Sequence, residues 1–105
     1  MIIKWQATNG YTEIEPVECT RETENHVFRM IDVVYQPAPV EIILRKNSYF
    51  TAYEVGYFNT WAEAHAHLTR YAQKLTLSAN QSVTMASKYT EGLKSLSEPV
   101  KVEND

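Results

Sequence analysis

Apolar and polar residues alternate along the first half of the chain, and the period then changes. Residues 2–7 place Ile3 and Trp5 on one alternating set, as a short strand does. Asn9-Gly10 signals a turn. Residues 13–23 read as a second extended segment whose phase shifts at Pro16. Ile14 is apolar before the proline, and Val17 and Cys19 are apolar after it. A proline inside such a run predicts an edge strand or a bulge. Residues 26–35 carry apolar side chains on both alternating sets, the pattern of a strand covered on both faces. Gln36-Pro37-Ala38-Pro39 breaks the pattern, since proline cannot donate to a ladder. Residues 40–45 form a further strand with Val40, Ile42 and Leu44 inward. Lys46-Asn47-Ser48 turns the chain, and residues 49–57 read as the last strand, rich in aromatic and β-branched side chains.

From Trp61 the step becomes three and four. Trp61, Ala64, Leu68, Tyr71, Leu75, Ala79, Ser82, Ala86, Tyr89, Leu93 and Leu96 form a heptad-like seam, with Val83 in a neighbouring register. Thr60 followed three residues later by Glu63 is a capping box, which starts this helix. The expected fold is therefore α+β: a small antiparallel sheet of about four strands over residues 2–57, then one long helix over residues 60–97. Residues 1–97 make one domain and 98–105 a flexible tail. A continuous helix of that length spans about 55 Å at 1.5 Å per residue. A domain of about 100 residues has a radius of gyration near 13 Å. The excess length predicts a homodimer through Leu75, Ala79, Val83, Ala86, Tyr89, Leu93 and Leu96. The alternative is a break near residues 78–82, where Ser and Asn weaken the helix.

Composition narrows the function. The 105 residues include 44% apolar and 22% charged positions, as in an ordinary globular domain. A net charge of −3 offers no electrostatic footprint for nucleic acid. One cysteine, Cys19, cannot form an internal disulfide, which fits a reducing setting. The N-terminus does not have the form of a signal peptide, and no apolar run approaches the ~18 residues of a membrane span.

Catalytic chemistry finds little support. His65 and His67 lie two apart, roughly 200° around a helix, and cannot share a metal from one face. Their expected place is polar helix surface, with Glu63 serving the cap. Cys19 beside Val17 reads as a buried small residue, and Asp32 as a partly buried structural carboxylate. There is no glycine-rich phosphate loop. No metal, cofactor or enzymatic role is expected. Two surface candidates remain. Glu13, Glu15, Glu18, Glu22 and Glu24 make an acidic stretch that either keeps an edge strand solvated or docks a basic partner. Tyr49, Tyr53 and Tyr57 belong to a dense aromatic run, and Tyr and Trp are typical interface anchors. Arg45 and Lys46 beside Tyr49 and Tyr53 offer an alternative nucleotide-binding face.

The segments Val17-Glu18-Cys19-Thr20-Arg21-Glu22-Thr23 and Tyr57-Phe58-Asn59-Thr60-Trp61-Ala62-Glu63-Ala64, followed by a helical region, resemble small phage and prophage accessory proteins. Those carry a V-x-V-x-R-E-T strand and a Y-F-D-T-W-E-E-A junction. This chain departs with Asn59 for the acid and Ala62 for a Glu, and its helix is richer in Ser and Thr. The resemblance implies a bacterial cytoplasmic setting and an accessory role. Several such proteins inhibit host defence, anti-CRISPR proteins among them. The expectation is a non-enzymatic protein that binds and inhibits a host defence or regulatory complex. The alternatives are a nucleotide-sequestering protein and a phage structural component.

Overall fold

The structure is a computed structural model that describes residues 2–46, 49–78 and 83–99. It is α+β, with small antiparallel sheets and helices. Among the described residues six strands form two three-stranded sheets, where about four strands in one sheet were expected. The first sheet has β1 (Ile2–Thr8) at its centre, flanked by β2 (Ile14–Cys19) and β6 (Val55–Phe58). The second runs β3 (Arg21–Glu22), β4 (His26–Ile31), β5 (Val40–Arg45).

The extra strand comes from the acidic segment. β2 pairs with β1 in an unbroken register from Ile2↔Cys19 to Ala7↔Ile14, with Pro16 opposite Trp5. Pro16 marks an edge strand, where its missing N–H costs no central ladder bond. It does not mark a bulge. The apparent phase shift has another cause: the two faces of β2 serve two different cores. Ile14 packs with Trp5, Ala7 and Phe58 under the helices, and Val17 and Cys19 pack with Ile2, Val27, Leu44 and Tyr57 between the sheets. After Cys19 the chain crosses to the other sheet. Thr20 is held there as its N–H donates to Phe28 O at 2.7 Å and its hydroxyl to Glu41 at 2.8 Å.

Two other strands are shorter than expected. Residues 32–35 leave the sheet after Ile31, and Asp32 is exposed instead of partly buried. In the last segment only 55–58 is strand. Tyr53 there has φ 63°, a left-handed conformation that ends regular pairing.

The helical region is two helices, α1 (Trp61–Ser78) and α2 (Val83–Lys94), in place of one. Residues 79–82, where the sequence is weakest, lie outside the described residues. The helices run antiparallel. The His65 ring donates from Nε2 to Leu93 O at 2.8 Å, and Tyr71 meets Tyr89 edge-to-face with centroids 6.1 Å apart. Ala64, Leu68 and Ala72 on α1 and Leu93 on α2 close over Ala7 of β1 in one core. The supposed dimer seam therefore folds onto its own chain. Ala86 and Leu93 are buried, and Leu75, Tyr89 and Leu96 are half-buried. Val83 opens α2 and Ala79 lies outside the described residues. Of the supposed tail, Glu98 and Pro99 are exposed, and 100–105 lie outside them also.

The cap forms with one change. The Glu63 N–H donates to Thr60 Oγ1 at 3.1 Å, and Glu63 Oε1 accepts from the Asn59 N–H at 3.3 Å, one residue before the cap. Thr60→Ala should lower stability by about 1 kcal/mol in urea denaturation. Leu93→Ala should cost about 2–5 kcal/mol, because it opens a cavity in the core of the single chain. An unchanged midpoint for Leu93→Ala at low protein concentration would show that α2 does not fold back on α1.

Candidate functional site

The hydrogen bonds of the buried polar groups decide what chemistry these groups can do. Asn9 is 1% exposed and bonds in four directions. Its backbone N–H donates to Glu54 O at 3.0 Å and its C=O accepts from the Tyr53 N–H at 3.1 Å. Its side-chain Nδ2 donates to Tyr49 O at 2.7 Å and Thr51 O at 2.9 Å. These two acceptors fix the amide orientation, so Oδ1 faces His67 Nε2 at 2.8 Å and must accept from it. His67 therefore carries a proton on Nε2. Its ring stacks on Phe50 at 4.9 Å and lies tilted against Phe58 at 5.1 Å. At 3% exposure His67 is core, a correction to the polar surface expected for it. Burial lowers its pKa, with Arg70's charge adding to the effect.

His65 is half-buried, bonded to Leu93 O and stacked on Trp61 at 4.8 Å. Among the described residues no three His, Cys, Asp or Glu side chains converge as a metal site. Cys19 is fully buried, and burial raises its thiol pKa, the reverse of what a nucleophile requires. Tyr89 has its hydroxyl between the Gly10 N–H and Tyr11 O, both at 3.1 Å, and burial pushes its pKa up to about 12.

The members of the acidic stretch have different surroundings. Glu22 bonds Lys4 at 2.6 Å and Lys46 at 2.8 Å, and these hydrogen bonds, Lys4's first, hold its carboxyl below the usual range. Lys4 is almost fully buried and also donates to Asn59 Oδ1. Glu13 and Glu15 line a cleft of about 330 Å³ with Thr12, Ile14, Trp61 and Leu96. Glu18 lies exposed opposite Ile3, and Glu24 is exposed in the β3–β4 turn.

The tyrosines divide as well. Tyr49 and Tyr53 are exposed, and Tyr53 meets Tyr11 edge-to-face at 6.1 Å. Tyr57 belongs to the core between the sheets. Arg45 and Tyr53 share a cleft of about 320 Å³ with Leu44, Glu54, Val55 and Tyr57. Lys46 is bonded to Glu22, and neither it nor Tyr49 lines that cleft.

One surface was not read from the sequence. Six of the eleven exposed large hydrophobic residues among the described residues sit on the β4–β5 hairpin: Met30, Val33, Val34, Tyr35, Val40 and Ile43. Val34 is 88% and Tyr35 92% exposed in its loop. Residues 33–35 read as strand continuation in the sequence, and the two prolines after them were the signal that a loop starts earlier. Among the described residues no helix is long and apolar enough to cross a membrane. No family model, no curated protein and no solved structure matches this chain.

Asn9→Ala would strand the buried His67 N–H and remove the donor that the Tyr49 and Thr51 carbonyls share. It should cost about 1–3 kcal/mol, the cost of one buried unsatisfied group. The lowered pKa of His67 also sets a pH slope. The unfolded chain takes up the proton first, near the ordinary value of 6.5. Stability should then fall as pH drops below that value, until the folded-state pKa is passed. Denaturation midpoints at a series of pH values should show this slope in the wild type and a shallower one in His67→Gln.

Proposed function

We propose that this chain is a non-catalytic binding protein that acts by occupying the surface of a macromolecular partner. The observation that carries the reading is the β4–β5 loop, where Val34 and Tyr35 stand almost fully in solvent. Apolar groups scattered singly on a surface need no explanation. Several gathered on one hairpin are the usual mark of an interaction site. The commitment of Asn9, His65, His67 and Glu22 to internal bonds supports the same reading. The phage resemblance of the Val17–Thr23 and Tyr57–Ala64 segments narrows it. The partner is then a host defence or regulatory complex in the bacterial cytoplasm, and the protein its phage-encoded inhibitor.

A second reading has one observation behind it, the shared cleft of Arg45 and Tyr53, which could take a small nucleotide. Glu54 in the same wall repels phosphate, and we therefore place this reading second. Nucleotides that raise the melting temperature by mass action would reverse that order.

The first reading is tested by affinity capture from bacterial lysate with the wild type and a Val34→Ser, Tyr35→Ser variant. The wild type should retain a defined complex. The variant should retain it at least about tenfold less, the loss expected of truncated interface anchors, with an unchanged melting temperature. Equal retention by the two proteins would remove the loop from the interface and the reading with it.

A further inference from the structure

The molecule treats its sheet edges unequally. β2, an outer strand of the first sheet, carries Glu15, Pro16 and Glu18, with Glu13 just before it. Proline and charge are the devices by which proteins keep an edge from pairing with another chain. β5, the outer strand of the second sheet, is six residues long, with no proline and Val40, Ile42, Ile43 and Leu44 among them. Pro37 and Pro39 precede it and interrupt none of it. Among the described residues no strand pairs with its outer side.

The ladder shows which backbone groups that edge presents. The Lys46 N–H donates to Asn25 O at 2.9 Å, continuing the register in which Leu44 faces Val27 and Ile42 faces Arg29. Bonded and non-bonded pairs alternate along an antiparallel ladder. Val40, Ile42 and Leu44 therefore bond to β4. The N–H and C=O groups of Glu41, Ile43 and Arg45 point the other way, along the open edge.

Those three residues are complementary to themselves. When a second copy of β5 is laid antiparallel with Ile43 opposite its own counterpart, Glu41 falls opposite Arg45 of the other copy, and Arg45 opposite Glu41. Ile42 falls opposite Leu44 on the inner face. The charge pair thus occurs twice, related by the two-fold axis, each Glu41 meeting the second copy's Arg45 in addition to Arg21 at 3.1 Å and the Thr20 hydroxyl at 2.8 Å of its own chain. Ile43 at the axis is 63% exposed, and Met30 beside it on the outer face is 45% exposed. Opposite charges and apolar pairs directly across a ladder are the contacts that stabilise sheet pairing. A two-fold interface requires this property of one patch.

We propose that two copies of this chain pair through β5, centred on Ile43, to form a continuous six-stranded antiparallel sheet. This interface differs from the helical seam, which closes within one chain, and it does not depend on the partner proposed above. Antiparallel pairing sends the two β4–β5 loops to opposite ends of the joined sheet, so Val34 and Tyr35 stay free in both copies.

The test is mass in solution over a concentration series, by light scattering after gel filtration, on the full chain. The wild type should be a dimer. Arg45→Glu sets like charges opposite each other twice; Glu41→Arg does the same and also removes the bonds to Arg21 and Thr20 within its own chain. Each variant alone should raise the dissociation constant by about tenfold or more. Mixed one to one, the two variants restore both opposite-charge pairs and should form a heterodimer. Ile43→Lys, at an exposed position, should be monomeric with an unchanged circular dichroism spectrum. Amide exchange at Glu41, Ile43 and Arg45 should be slow in the wild type and quicken on dilution. That readout needs no variant. A wild type that is monomeric throughout overturns the proposal. So does a dimer that Arg45→Glu and Ile43→Lys leave intact. A monomer whose three edge amides become protected only when a different protein binds would assign the edge to that protein's strand, and would also overturn it.

Discussion

The side chain of Asn9 is the point on which the parts of this fold depend. It stands at the end of the central strand, where three separate pieces of chain arrive. Its amide holds the carbonyls of Tyr49 and Thr51, and its oxygen holds the His67 ring on α1. A segment with little regular structure is thereby tied to both a strand and a helix. The adjoining Gly10, at φ 98°, lets the chain turn away at once and places its N–H on the Tyr89 hydroxyl of α2. Both helices are thus attached to one turn. Such a node works only if every member is satisfied, because a buried unpaired amide costs as much as several good contacts supply.

Strands β1 and β2 then divide the interior in two. One alternating set faces the helices and the other faces the second sheet, so a single strand pair supports two small cores. The core between the sheets contains a lysine. Lys4 is tolerated there because Glu22 and Asn59 meet its ammonium and Lys46 shares the carboxylate. The arrangement joins the sheets by charge where apolar contact is thin. It also commits Glu22, one of the five glutamates of the acidic stretch, to internal ion pairs.

Much of the fold was legible in the sequence. The α+β class, the turn at Asn9-Gly10, the edge nature of the Pro16 strand and the cap at Thr60 each rest on local chemistry that tertiary packing did not override. What was misread depended on contacts across the chain. Ile14 followed by Val17 and Cys19 looked like a phase shift because periodicity assumes one core, and here there are two. The seam from Trp61 to Leu96 was correctly seen as apolar, but periodicity does not say whether the covering surface belongs to another molecule or to the same helix returning. His67 was assigned to the surface although it lies three residues from Ala64 and beside Leu68, on the buried stripe. Its place could have been read from that spacing. The bond to Asn9, fifty-eight residues away, could not.

Closing the helical seam inside the chain changes where recognition can take place. The described seam residues of α1 and α2 pack within their own chain, and six of the eleven exposed large apolar side chains among the described residues lie on the hairpin of the second sheet. Its loop has a property that suits binding. Pro37 and Pro39 fix two backbone angles just after Tyr35, and the Gln36 N–H closes a turn onto Val33 O at 3.0 Å. Part of the ordering cost of association is therefore met before a partner arrives. Tyr35 supplies large contact area with few rotatable bonds, which keeps the remaining cost low. Apolar side chains held in water on a restrained loop add nothing to the stability of their own fold. In the proposed binding role their contribution is realised when another surface covers them.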